Sequence, residues 1–286
     1  MYPVFDYFFG CFCVGFPFLT EIRGENKASN SIFNKTYQEI IMARFFVDRE
    51  KIEENRIIID GADAHHIARS LRMAEGDRVV VCDGVGGEYS CTLIRIRDEE
   101  CICRIDERLQ SGAESPVSIT LCMAYPKGDK LEVVIQKAVE LGADRIIPFE
   151  SSRCIKRPKA EKAEKQTSRL QRIAEEAAKQ CGRAKIPTVT QPLSYSAMLK
   201  EATECALALF CYENEDGLTV KTALSGRERP DSIAVIVGSE GGFSPDEAAE
   251  ATKAGCLSVT LGNRILRCET APSFALSAIS YEYELT

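Results

Sequence analysis

The chain has 286 residues, 45% of them hydrophobic and 28% charged, with a net charge of −7. That balance belongs to a folded globular protein; there is no low-complexity tract and no repeat at a solenoid period, and a surface basic all over is excluded. Thirteen cysteines are scattered without a C-x-x-C pair and His65 and His66 are the only histidines, which argues against a structural metal site and for free thiols in a reducing cytoplasm.

Residues 1–41 are aromatic-rich at first and then polar. A secretory signal wants a basic start and an unbroken apolar core, but Asp6 interrupts the run, no Lys or Arg precedes it, and Pro3 and Pro17 break it further. The run is also short for a membrane span. The segment reads as a disordered leader or the product of an upstream start; a cryptic targeting or membrane-anchor peptide is the competing reading. Over 42–112 the text changes to short strands (43–47, 56–60, 77–83, 89–96, 101–106), with glycine turns at Gly76 and Gly84 to Gly87 and one helical stretch at 63–73. Strands at such close spacing predict a small β-barrel domain.

Residues 111–116 read as a linker, and from Pro116 to the C-terminus strands alternate with helices. Strands are expected at 117–125, 145–150, 205–210, 233–237 and 257–261, and helices at 129–142, 161–181 and from Ala271 to Leu285. Asp129 is the expected N-cap of the first of these helices and Gly142 lies just past its end. Apolar strands without alternation, separated by helices, predict an α/β domain over 116–286 with a parallel sheet covered on both faces.

The stretch VIVGSEGGFSPDE, 235–247, packs a strand, a glycine turn and a helix start into thirteen residues. Ser244, Pro245 and Glu247 fit N-cap, N1 and N3 of a capping box, and Gly255 fits the stop. No Lys-Ser/Thr follows the turn, so it is not a Walker loop, and Glu240 and Phe243 stand where a dinucleotide fingerprint requires glycine. Glu240 also puts negative charge where a phosphate would need a positive field. Two further strands end similarly, one running into CYENEDG and one into GNRILRCETAPSF. Ligands of open α/β sheets lie beyond the carboxyl ends of the strands, so the ends near Tyr212, Gly238 and Gly262 predict one pocket of backbone groups. The competing reading is that these glycines only make tight turns.

IVGSEGGFSPDE and VTLGNRILRCETA resemble the two signature segments of the SPOUT-class RNA methyltransferases. With MARFFVD, HHIARSLRMAEGD, QKAVELGADRIIPFESSR and QCGRAKIP, the chain from Met42 onward is similar to the ribosomal RNA small subunit methyltransferase E family, which methylates N3 of a uridine in 16S ribosomal RNA. One departure is Ser239, where the family commonly has Pro. The resemblance implies a PUA-like RNA-binding barrel followed by a SPOUT domain with a deep trefoil knot. It also implies S-adenosylmethionine, held by the knot loops near Tyr212, Gly238, Leu261, Gly262, Ile265 and Leu266. No metal is needed for this chemistry, and a homodimer joined through the last helix (Phe274, Leu276, Ala278, Ile279) is expected. A transfer RNA target and a non-catalytic RNA-binding or ribosome-assembly protein are the alternatives.

Residues 153–185 hold eleven Lys/Arg and four Asp/Glu, a segment of net +7 in a chain of −7. Such segregation predicts a phosphate-backbone footprint, although charge runs are often only solvated helix faces. Arg153 and Arg183 match family motifs and rank above the lysines. In the barrel the RNA candidates are Arg44, His66 and Arg72; Arg69 reads equally as a surface ion pair and His65 as a packed core histidine. The partner implied is small-subunit ribosomal RNA, naked or in the assembled 30S subunit. For the chemistry, Arg267 is the first candidate to stabilise the anion developing on the uridine, the competing reading being an ion pair with Glu269. Glu240 and Glu269 are the candidates for base or substrate orientation, with a backbone-bonding role for Glu240 equally open.

Overall fold

The computed structural model describes residues 42–155, 160–226 and 228–285. The expectation for residues 1–41 lies outside this range, as do Lys156, Arg157 and Lys159 of the basic segment. Two sheets organise the described residues. The first contains β1 (Arg44–Phe46), β2 (Arg56–Asp60), β3 (Arg78–Cys82), β4 (Glu88–Ile96) and β5 (Glu100–Leu109) in the order β1-β3-β4-β5-β2. β1 joins β3 in parallel and the other pairs are antiparallel. The β4–β5 register shifts between Ser90 and Cys91 and between Leu93 and Arg95, the kind of irregularity that bends a sheet. Alternate residues (Ile57 and Ile59, Val79 and Val81, Cys91 and Leu93, Cys101 and Cys103) face one core, as the two-residue period of a strand requires. β3 is buried on its other face too, where Val80 and Cys82 pack with Ala184.

The helical stretch of this domain departs from expectation. α1 (Gly61–His65) continues as a π-helical turn, His66–Ser70, closed by Leu71 N–H donating to the His66 carbonyl at 2.9 Å. Arg72 then takes φ 52°, the one positive φ on a non-glycine residue among the described residues. His65 is exposed, not packed in the core.

The second sheet contains β6 (Ser118–Ala124), β7 (Ala143–Glu150), β8 (Thr188–Val189), β9 (Leu193–Ser194), β10 (Leu207–Cys211), β11 (Ser232–Val237) and β12 (Leu257–Val259). The order is β12-β10-β11-β6-β7-β8, with β9 also on β7, and every pair is parallel. The unbroken apolar runs of β10 and β11 arise from this, since both faces of an inner parallel strand are covered. The helices are α2 (Lys130–Glu140), α3 (Ala160–Cys181), α4 (Tyr195–Ala202), α5 (Val220–Leu224), α6 (Pro245–Ala254) and α7 (Thr270–Tyr283). α6 has the anticipated capping box, and Gly255 comes after it at φ 104°. β8, β9, α4 and α5 are additions to the expected elements. The two helices carry their own local signals, since Ser194 and Thr219 accept from Ala197 N–H and Thr222 N–H at 3.3 and 3.1 Å.

Two RNA candidates belong to the packing instead. Arg183 is 2% exposed. Its Nη2 donates to the Glu114 and Asp144 carboxylates at 2.9 and 2.8 Å, and its Nη1 to the Ala143 carbonyl at 2.6 Å. Glu114 also accepts from Ala184 N–H and Lys185 N–H at 2.8 and 3.0 Å, and Ile186 N–H reaches the Gly84 carbonyl of the first sheet's turn at 2.9 Å. A guanidinium so enclosed and neutralised has no access to a phosphate. Arg44, its side chain 13% exposed, is likewise occupied by Glu88 at 2.8 Å and by the Cys82 sulfur at 3.0 Å.

Candidate functional site

β12, β10 and β11 are neighbours, so their carboxyl ends release three loops along one edge of the sheet. Those loops enclose a cavity of about 790 Å³, lined by Tyr212, Gly238, Leu261, Gly262, Ile265 and Leu266 together with Ser239, Glu240, Arg267 and Lys130. All six cofactor candidates therefore meet in one place. The Tyr212 loop is tied to the third loop through its backbone: Tyr212 N–H donates to the Val259 carbonyl at 3.1 Å and Thr260 N–H to the Leu218 carbonyl at 2.8 Å.

An aromatic side chain shapes the glycine turn from below. Phe243 is fully buried beneath the turn, 4.3 Å from the Phe210 ring centroid and stacked at 6.3 Å on Phe149. This anchor bends the backbone back over itself, with Gly242 N–H donating to the Ser239 carbonyl at 2.9 Å and Gly242 at φ 62°. A side chain at Gly242 would collide with the Glu213 carboxylate, and a Cβ on Gly241 would stand 2.9 Å from the Arg153 Cβ. Positive φ is thus required at Gly242 and close approach at Gly241. In the third loop Gly262 has φ 110°, and a Cβ there would meet nothing within 4 Å. The backbone N–H groups of Asn263, Ile265 and Leu266 have no hydrogen-bond partner among the described residues. Ile265 is 89% exposed, and the buried Ser239 hydroxyl is unpartnered among the described residues. Unpaired backbone donors, an uncovered aliphatic side chain and an orphan hydroxyl around one cavity fit a ligand that is part apolar and is held mainly by main chain.

The charged groups gather at Lys130, the first residue of α2. Its Nζ lies 3.0 Å from Glu240 and 3.2 Å from Glu269. Glu240 also accepts the Lys127 backbone N–H with both oxygens, at 3.1 and 3.2 Å. Partial burial works against ionisation of Glu240, but its own backbone N–H, Lys130 and Lys127 N–H outweigh it and hold the carboxyl below its usual value. Glu269 is held low chiefly by its own backbone N–H, against partial burial and with help from the Cys268 thiol and Lys130. Burial and the neighbouring carboxylates push Cys268 itself up to about 12. Arg267 is 85% exposed at the side chain and only 4.0 Å from Glu269 at its nearest, so a tight ion pair is not formed. Lys130 was not anticipated from the sequence, because its two partners lie in distant loops.

The basic segment divides by ion pairing. Lys179 pairs with Asp63 and Glu175 at 3.1 and 3.3 Å, and Arg169 with Glu132 at 2.9 Å. Lys165 and Arg172 are exposed without an ion pair among the described residues and line a second cavity, of about 860 Å³, between α2 and α3. Arg153 is exposed and donates to the Gly241 carbonyl at 3.0 Å, so it braces the glycine turn. On the first sheet Arg69 pairs with Asp98, while Arg72 is exposed and unpaired among the described residues and His66 is half-buried. Among the described residues no group of His, Cys, Asp and Glu could hold a metal ion, and no helix is long and apolar enough to cross a membrane.

Two family models match the chain: residues 113–280 fit an RNA methyltransferase domain and residues 59–106 an RNA methyltransferase PUA domain. The chain is 35% identical over 251 residues to the ribosomal RNA small subunit methyltransferase E of Bacillus subtilis, covering 85% of this chain and 98% of that one. It is 34% identical to the protein of the same name from Synechocystis, covering 86% and 80%. Among solved structures, ribosomal RNA small subunit methyltransferase E from Neisseria gonorrhoeae bound to S-adenosyl methionine superposes with a TM-score of 0.75 at 29% identity, covering 86% of this chain and 100% of that one.

Proposed function

The chain belongs to the ribosomal RNA small subunit methyltransferase E family, and from that membership we propose that it transfers a methyl group from S-adenosylmethionine to small-subunit ribosomal RNA, at N3 of a uridine. The observation that carries the reading is the single cavity made where three adjacent parallel strands end, with main-chain donors on its walls and Arg267 at its rim. The cofactor, when bound, supplies an electrophilic methyl on a sulfonium. Tyr212, Gly238, Leu261, Gly262, Ile265 and Leu266 would hold it through backbone and apolar contact.

The protein's part is to align N3 and to stabilise the charge that appears as its proton leaves. Arg267, exposed beside the cavity and without a tight partner, can donate to the uridine oxygen on which that charge spreads. Neither acid suits the role of base: both are held in the ionised form by hydrogen bonds and by Lys130, which weakens them as proton acceptors at neutral pH. Glu240 and Glu269 are therefore assigned to orienting the two loops, and the proton is assigned to solvent.

For RNA we assign Arg72, His66 and the exposed face of α3 to phosphate contact. An exposed arginine at positive φ directly after a π-helical turn is a strained arrangement of the kind concentrated at functional sites. A homodimer is part of the reading. The outward apolar side chains of α7 are Phe274, Tyr281 and, just past its end, Leu285, at spacings of seven and four residues that keep them on one side, while Ala278 is half-buried against the core. Leu276 and Ile279, expected on that side, are buried in the protein's own core. The cytoplasm, where ribosomal RNA is, is the location proposed.

The test is calorimetry with S-adenosylmethionine, then mass mapping of modified nucleosides in ribosomal RNA from cells with and without the gene. Loss of one 3-methyluridine from the small-subunit RNA is the expected outcome. An unchanged ribosomal RNA with a methyl missing from transfer RNA would move the target, and failure to bind the cofactor would end the enzyme reading.

A further inference from the structure

Lys130 stands where a lysine is electrostatically misplaced. It opens α2, at the end where unpaired N–H groups and the helix dipole already carry partial positive charge. Two carboxylates from two loops offset this, Glu240 at 3.0 Å and Glu269 at 3.2 Å from Nζ. Glu240 has a second claim on it, the Lys127 backbone N–H. Glu269 has a rival suitor: Arg267 Nη1 lies 4.0 Å from its Oε1, while Lys130 engages Oε2. A guanidinium forks onto a carboxylate better than an ammonium does, and Arg267 is only two residues away on the same loop. Without the lysine, a small rotation would close that pair.

Resting on the methyltransferase reading, we infer that Lys130 is a positioning residue: by holding Glu269 it leaves the Arg267 guanidinium free for the substrate. The groups that face Lys130 are Glu240, Glu269 and the Cys268 thiol, whose sulfur is 3.8 Å from Nζ. The other charged groups lining the cavity, Glu213, Glu215, Asp216 and Arg264, form no ion pair with these or with Arg267 among the described residues. The competition for Glu269 is thus between Lys130 and Arg267.

The experiment compares Lys130→Met, Lys130→Arg, Glu269→Gln and the double variant Lys130→Met/Glu269→Gln in the full chain. In cofactor-free protein, phenylglyoxal labelling of Arg267 is tracked by peptide mass mapping. Labelling should slow severalfold in Lys130→Met and recover in the double variant, because the captor has been removed. With small subunits and S-adenosylmethionine, Lys130→Met should lower kcat by about 10- to 100-fold, less than the roughly 10²- to 10³-fold that goes with losing an oxyanion donor outright. Lys130→Arg should keep most of the activity, and the double variant should be at least several times faster than Lys130→Met. Thermal midpoints read alongside separate misfolding from mispositioning. The inference is overturned if the double variant is no better than Lys130→Met in labelling or turnover; Glu269→Gln alone measures the separate cost of losing that carboxylate's loop contacts. Wild-type protein that binds no S-adenosylmethionine in calorimetry would instead overturn the methyltransferase reading itself, and the inference with it.

Discussion

Arg183→Met separates a structural cation from an RNA-binding one. The guanidinium is 2% exposed, and its acceptors are the Glu114 and Asp144 carboxylates and the Val139 and Ala143 carbonyls. Removing one member of a buried ion network costs about 3–5 kcal/mol, because the remaining charges stay desolvated and unpaired. Here the carboxylates are not wholly sealed, with side-chain exposures of 12% for Glu114 and 24% for Asp144. Water can reach them, and Glu114 keeps its two backbone donors, so the low end, about 3 kcal/mol, is expected. For a folded body of this size that corresponds to a fall in melting temperature of roughly 6–12 °C. Scanning calorimetry reads the stability, and filter binding of small-subunit RNA against salt, well below both midpoints, reads the affinity. The packing role predicts an unchanged salt slope. An unchanged melting temperature with a slope reduced by about one would refute it and restore Arg183 as a phosphate contact.

Arg267→Ala should leave melting temperature and cofactor affinity nearly as they are, since the side chain is 85% exposed, and reduce turnover by roughly 10²- to 10³-fold; a stability loss with normal turnover per folded molecule would return it to an ion-pair role. Gly262→Val places a β-branched residue at φ 110° in a loop that lines the cavity, a conformation it adopts only with strain, so calorimetry should find S-adenosylmethionine binding lost while RNA binding persists. Binding within threefold of wild type would remove Gly262 from the cofactor site. Arg72→Ala should weaken RNA binding and flatten its salt dependence by about one unit of slope, with cofactor binding intact; an unaltered slope would leave the π-helical turn without an RNA role.

What could be read from the sequence was what neighbouring residues decide among themselves. Ser244, Pro245, Glu247 and Gly255 delimit α6 by rules that act within a turn or two, and the helix begins and ends where they say. Asp129 shows the limit: it occupies the N-cap position of α2 but makes no side-chain cap bond. The apolar runs ending at Cys211, Val237 and Val259 announce strands, the first two of them buried. That these three lie side by side is a property of the sheet order, which local pattern does not contain. The π-helical turn was also hidden, because HHIARSLRM has the apolar spacing of an ordinary helix.

The cations make the same point more sharply. Arg153 and Arg183 are the same side chain in the same basic segment, both singled out for RNA. One is exposed and braces Gly241 from outside; the other is sealed by Glu114, a residue of the linker between the two sheets. No rule confined to the segment separates them, because the deciding term is desolvation, which depends on what the rest of the chain brings near. Lys130 is the converse case, a cation in an ordinary helix start made important by two acids from distant loops. Counting charge along a chain therefore locates where cations are plentiful. Which of them are available to a phosphate is decided by the partners the fold has already given the others, and on that criterion Arg72, Lys165 and Arg172 are exposed without an ion pair among the described residues while Arg44 and Arg183 are engaged.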